Sequence, residues 1–281
     1  NILYRHLTET ADRQLRDRER AVQTVRSRAD WTRRQQEIRA RLREAVGPFP
    51  ERTPLRIRTV RTLERDEYRI EHLIYESVPG FHVTGSLFVP EGLEGSAPGI
   101  LYLSGHTDEA YRSETYQHVI LNLVGKGFVV LAIDPIGQGE RLQSPDTTGS
   151  GSVIGGPTDE HAYVGAQSFL TGRSPAWIFT WDGMRALDVL ERRPEVDPDR
   201  LGVTGRSGGG TQTAFLAAMD ERVRAAAPEN YITSYHRLLQ SIGPQDAEQN
   251  VYRGLAQGLD HADFLTVRAP APTLMITTTR D

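Results

Sequence analysis

The spacing of apolar residues along this chain changes twice, and each regime predicts a different kind of element. Residues 3–46 read as two helices. In the second, Trp31, Gln35, Ile38, Leu42 and Val46 follow helical spacing, and Gly47-Pro48 ends it. From residue 55 the period drops to two. "LRIRTVRTL", "YRIEHLIYES" and "FHVTGSLFVP" predict three strands, joined at "ERDE" and "VPG". Continuous apolar runs come next: "GILYL" (99–103), "FVVLAID" (128–134), "RLGVTG" (200–205), "VRAAAP" (223–228) and "PTLMITT" (272–278). Between them lie helical patterns near 113–125, 176–192, 208–219 and 245–266. Strands that are apolar on both faces and alternate with helices predict an α/β fold, a mostly parallel, doubly wound sheet covered on both sides. The expected organisation is an N-terminal helical extension over residues 1–50 and an α/β domain over 51–281. The polar stretch "SPDTTGSGSVIGGPTDE" (144–160) reads as a long loop at the carboxyl ends of the strands, where such sheets bind ligands.

Composition narrows the function. With 281 residues the chain can bury a large core. A formal net charge of −4 offers no basic excess for phosphates, so a nucleic-acid partner is not expected. The arginine-rich helices at the start interleave Asp and Glu and read as a solvated face with i,i+4 ion pairs. There is no cysteine, which excludes disulfides, thiolate zinc sites and cysteine nucleophiles. No apolar run has the length of a membrane span, so no membrane partner is expected. The chain opens on Asn1 without a signal peptide, which suggests a trimmed start and leaves export open.

The most specific signal is "LGVTGRSGGGTQTAF" (201–215). Gly205-Arg206-Ser207-Gly208-Gly209 matches G-x-S-x-G between a predicted strand and a predicted helix, the context that motif requires. A serine at the tip of so tight a turn crowds its neighbours two residues either way, and glycine relieves the crowding. The turn projects the hydroxyl above the sheet while the next helix aims its positive end at a developing oxyanion. "GRSPA" at 172–176 repeats Gly-Arg-Ser, but Pro175 follows and no strand precedes, so Ser174 reads as a loop or cap residue. A phosphate loop would need Gly-Lys-Ser/Thr, and the only lysine is Lys126, far away.

With these residues the chain resembles the α/β-hydrolase superfamily and, more narrowly, the bacterial acetyl xylan esterase-like carbohydrate esterases. The resemblance runs over nearly the whole chain. It is carried by "LSGHTDEAYRSETYQ", "DPIGQGERLQ", "DEHAYVGAQSFLTGRS", "WDGMRALDVLERRPEVDPDRLGVTGRSGGGTQT" and "GPQDAEQN…GLDHADFL". It implies an α/β-hydrolase fold with antiparallel N-terminal strands, and Ser207 as nucleophile. It implies oxyanion donors at the Gly208 amide and within Gly105-His106-Thr107. It also points to a secreted or periplasmic location. The superfamily order of nucleophile, acid, histidine puts the acid at Asp281, with Glu229 after "VRAAAP" as the second candidate. The histidine is then expected beyond residue 281, since none of the eight histidines fits that order; the domain is accordingly expected to be incomplete at its C-terminus. Arg206, His161 and Glu140 are candidate substrate contacts, Glu140 and Arg141 are expected to pair, and Trp181 reads as core.

The reading that follows is a serine esterase acting on an acetylated carbohydrate or a small ester through an acyl-enzyme on Ser207, with no cofactor and no metal. The alternatives are a glucuronoyl esterase or peptidase with the same triad, and a catalytically inactive hydrolase-fold binding protein. The acyl group, the sugar and the oligomeric state are not legible in the sequence.

Overall fold

The computed structural model describes residues 1–243 and 245–278. Two helices open the chain, α1 (Ile2–Gln23) and α2 (Arg28–Val46). Side chains hold their first turns. Asn1 accepts from the Leu3 and Tyr4 amides, and Ser27 and Asp30 satisfy each other's backbone N–H groups in a capping box. One face of α2 buries Ile38, Leu42, Ala45 and Val46.

Seven strands form one sheet in the order β1-β2-β3-β5-β4-β6-β7. Strands β1 (Arg58–Glu64), β2 (Tyr68–Val78) and β3 (Phe81–Pro90) pair antiparallel, and alternate residues of β2 are buried, as the period of two predicts. The partner of β3 is β5 (Val129–Ile133), also antiparallel. Parallel pairing then joins β5 to β4 (Ala97–Leu103), β4 to β6 (Val196–Arg206) and β6 to β7 (Val223–Glu229). Every residue of β5 is buried, which explains its unbroken apolar run. Helices α3 (Glu114–Gly125), α5 (Ala176–Glu191) and α6 (Gly208–Met219) link these strands and cover them. Trp181 is packed in the core, stacked on Phe49 and donating its indole N–H to the Ser77 carbonyl at 2.9 Å.

Three expectations change. The loop expected over 144–160 ends early, because α4 (Pro157–Leu170) begins inside it. Pro157 at the first position and Asp159, accepting from the Gly156 amide, start that helix. The helical stretch expected near 245–266 is two 3-10 turns, Ala247–Gln249 and Leu255–Gln257, followed by α8 (His261–Thr266). Gly258, at φ +68°, interrupts it and Asp260 caps a new start. A short α7 (Tyr235–Ser241), capped by Ser234, was not foreseen. Residues 272–278 run parallel to β7 and meet it at two bridges, Ala226 with Thr273 and Glu229 with Ile276, short of a full strand.

The first two helices pack on the segment from α7 to α8. Ile38, Leu42 and Val46 share an apolar cluster with Phe215, Tyr231, Val251 and Phe264. Arg18 reaches Asp263 at 2.7 Å with both side chains nearly buried, and Gln35 donates to the Thr266 and Ala269 carbonyls.

Candidate functional site

The order of the strands makes the site. Strand β4 lies between β5 and β6, so the connections after β4 and β6 run to opposite sides, the switch in strand order at whose carboxyl ends such sheets form a binding crevice. Leu103 at the end of β4 is in register with Gly205 near the end of β6. The loop after one therefore faces the turn after the other.

Ser207 occupies that turn at φ +56°, ψ −121°, a left-handed conformation that a residue with a side chain rarely adopts. It is exposed, whereas Gly208, Gly209 and Gly210 behind it are buried. Its own N–H donates to the Glu229 carbonyl at 2.9 Å, and its carbonyl accepts from Thr211 in the first turn of α6. The glycines are required by neighbouring backbone. A Cβ on Gly209 would run into the Leu103 carbonyl, and one on Gly205 would sit 2.8 Å from the Gly209 oxygen as well. Gly208 is the first residue of α6, and its amide has no partner inside the helix.

Opposite Gly208 stands the loop Ser104–Asp108. The His106 ring is so near that a Cβ on Gly208 would lie 2.9 Å from its Cε1, and a Cβ on Gly105 would lie 3.1 Å from the Ser207 Cβ. Gln138, buried on the loop after β5, fixes this segment by donating its side-chain amide to the Gly105 carbonyl at 2.8 Å and to that of Thr107 at 3.0 Å. The Thr107 hydroxyl is turned to the Ala110 carbonyl, so only its backbone remains for an oxyanion.

His106 is engaged on both nitrogens, Nε2 with Glu248 Oε1 at 2.8 Å and Nδ1 near Asp246 Oδ2 at 3.6 Å. Burial opposes its protonation, but the hydrogen bond and charge of Glu248, with Asp246 behind, raise its pKa above the ordinary value. Burial alone would raise the Glu248 pKa; the hydrogen bond from His106, with His161 Nδ1 3.0 Å away, outweighs it and holds the carboxyl well below the usual range. Burial and then the charge of Glu248 raise the Asp246 pKa.

Other expected site residues fall differently. Glu229, at the end of β7, is half-buried beside Arg206, which is exposed at 3.6 Å from it. Asp281 lies outside the described residues. His161 is buried, its Nε2 donating to the Ile136 carbonyl at 2.8 Å and its ring edge-on to Phe179, which leaves no face for a substrate. The pairing expected between Glu140 and Arg141 is replaced. Glu140 is exposed and meets Arg112 at 3.0 Å, while Arg141 turns inward to Asp182 at 2.7 Å and to the Asp134 carbonyl. Adjacent residues cannot both reach the crevice here, because burial of the Arg141 guanidinium ties it to the core. Sequence reasoning missed Gln138 and Glu248, although both stand in the blocks that carry the family resemblance. A cavity of about 210 Å³ is lined by Asp108, Gly137, Gly139, Ser152 and Pro157, which sets residues 150–157 against the loops after β4 and β5.

Comparison with known proteins bears on the fold and the family. YtaP of Bacillus subtilis, named as a hydrolase, is 25% identical over 264 residues, covering 87% of this chain and 81% of its own. Among solved structures, a protein of Bacteroides fragilis named as an acetyl xylan esterase superposes with a TM-score of 0.71 at 18% identity, over 88% of this chain and 68% of that one. Acetyl xylan esterase 1 from Thermoanaerobacterium sp. gives 0.56 at 22% identity, over 85% and 77%. The fold is that of the α/β-hydrolase esterases. The family model for acetyl xylan esterase (AXE1) matches residues 58–257, which contain the loop after β4 and the Ser207 turn, and the chain is thus a carboxylic-ester hydrolase of the acetyl xylan esterase family.

Proposed function

We propose that this enzyme removes acetyl groups from a carbohydrate through an acyl-enzyme on Ser207. The observation that carries the proposal is the backbone of Ser207: a strained, exposed nucleophile position at φ +56°, with a free helix-end amide at Gly208 and a braced loop across from it. Such strain at a crevice is characteristic of functional turns, and here it aims the hydroxyl away from the sheet. In this reading Ser207 Oγ loses its proton to a histidine and attacks the ester carbonyl. The Gly208 amide and a backbone amide of the Gly105–Thr107 loop hold the oxyanion. The same histidine protonates the departing sugar hydroxyl, and water then releases the acyl group by the same route. The superfamily order assigns this histidine to a position after the acid. Among the described residues no histidine is hydrogen-bonded to Ser207 Oγ. The acid is Asp281 by order; Glu229 is the alternative, favoured by its place at the end of β7, where Arg206 leaves it partly exposed.

The family match supports the acetyl ester as substrate. The test is direct. Ser207→Ala should abolish both ester turnover and covalent labelling by a fluorophosphonate, and full activity in that variant overturns the proposal. Acetylated xylan, a glucuronate methyl ester and a peptide amide, assayed side by side, identify the substrate class; turnover of none of them by the intact protein would favour a binding role.

A further inference from the structure

Three segments far apart in the chain place a donor set beside the serine turn. His106 comes from the loop after β4, His161 from α4 and Glu248 from the 3-10 turn at Ala247–Gln249. One ligating atom from each lies within 4.8 Å of the others. His161 and Glu248 are each 1% exposed.

The hydrogens in this cluster do not balance. His161 Nε2 is 2.8 Å from the Ile136 carbonyl, which only accepts, so Nε2 carries a hydrogen. A neutral ring then turns the Nδ1 lone pair toward Glu248 Oε2, 3.0 Å away and itself an acceptor when ionised. The close approach lacks hydrogen-bond geometry, and both atoms are buried without a hydrogen-bond partner among the described residues. Two buried lone pairs this near each other require a positive centre between them, a proton on Nδ1 or a cation in its place. The remote nitrogens supply a second sign. His161 anchors its outer N–H on a backbone carbonyl, and His106, with Nε2 toward Glu248, turns Nδ1 toward the Asp246 carboxylate at 3.6 Å. Imidazoles that ligate a metal are oriented in this way, each by an acceptor on its far nitrogen.

We propose that His106 Nε2, His161 Nδ1 and the Glu248 carboxylate form a binding site for a divalent transition-metal ion, Zn²⁺ being the ion they suit. Two imidazoles and one carboxylate, with a fourth position for water, form a donor set that zinc accepts. Mg²⁺ and Ca²⁺ prefer oxygen throughout. The ion's charge compensates the buried Glu248 and is further offset by Asp246. Its role is to cross-link the oxyanion loop, α4 and the Glu248 turn, holding His106 against Gly208. The site goes beyond the serine-esterase reading and does not depend on it, since no step of ester cleavage passes through the ion.

The test reads metal, not turnover. The purified protein is stripped with a chelator, then titrated with Zn²⁺ by calorimetry and checked by elemental analysis, with folding followed by circular dichroism. The stripped protein should bind a single Zn²⁺ per chain, with Tm rising as Zn²⁺ is added. Glu248→Gln and His161→Gln should abolish binding, and Asp246→Asn, at a partly exposed position, should weaken it ~10–100-fold. His118→Ala, on the exposed face of α3, should bind as the wild type does. Failure of the stripped wild type to take up Zn²⁺ overturns the proposal, as does Glu248→Gln binding as tightly as wild type. Where Glu248→Gln does not fold, Asp246→Asn decides, and unchanged affinity there overturns it. Loss of labelling at Ser207 with intact Zn²⁺ binding would fault the esterase reading alone.

Discussion

The side-chain amide of Gln138 donates to the carbonyl oxygen of Gly105 at 2.8 Å, joining the loop after β5 to the loop that faces Ser207. The same nitrogen reaches the Thr107 carbonyl, so a single buried group sets both ends of the turn that carries His106. Replacing it with Leu keeps the bulk and removes both bonds. Gln138→Leu should lower kcat ~10–100-fold with KM changed little, since a misplaced oxyanion donor weakens the transition state more than the ground state. Steady-state kinetics on a simple acetyl ester check this. A fall in KM affinity with kcat intact would show that the loop binds substrate instead.

Backbone contact governs the serine turn. Gly209→Ala forces a Cβ against the Leu103 carbonyl, with the nearest carbon at 2.5 Å, and neither partner can move without breaking the β4–β6 pairing. The expected cost is at least about 1–3 kcal/mol, with loss of fluorophosphonate labelling. Gly125→Ala, at the end of α3 with open space around it, is the control and should be neutral or stabilising by up to ~1 kcal/mol. Denaturant melts of both variants measure the contrast.

Asp263 is buried, accepts from Arg18 at 2.7 and 2.9 Å and from the Asp260 amide at 2.8 Å, and has Arg34 at 3.6 Å. Asp263→Asn leaves two arginines facing a neutral group and should destabilise the protein by about 3–5 kcal/mol. Limited proteolysis should then cut first within α1, which that ion pair fastens to α8.

His261 gives a pH dependence. Burial lowers its pKa to about 4 from 6.5, against the pull of Asp260 and the Tyr231 carbonyl. Between those values the unfolded chain binds more protons than the folded one, so stability falls as pH falls. The contribution is complete above pH 6.5 and is lost progressively toward pH 4, about 3 kcal/mol in all. Urea unfolding of the wild type from pH 7 to 4 should show this slope, and His261→Gln should flatten it.

Much of the sheet was legible because its signals are local. The alternation of β2 and the unbroken run of β5 each report the faces their own residues bury. The Ser207 turn was legible for the same reason, as glycine requirements sit within a few residues of the serine. What escaped was set by distant contacts. Glu248 and His161 acquire their meaning from each other, 87 positions apart by number, and nothing in either neighbourhood marks them as partners. The early start of α4 did have a local sign, Pro157 followed by two acids, which the surrounding glycines and serines obscured. Arg141 was assigned to Glu140 by adjacency, while burial pulls it 41 positions along the chain to Asp182.

The seating of β4 between β5 and β6 also carries a consequence for how the enzyme comes into being. The loop after β4 and the Ser207 turn lie about a hundred positions apart in the chain and are brought together by the pairing of β4 with β6 in the middle of the sheet. Such long-range pairings form slowly, after local helices have gathered. Recovery of turnover during refolding therefore clocks the zipping of the central strands, and a chain rich in helical signal but still inert is one whose centre has yet to close.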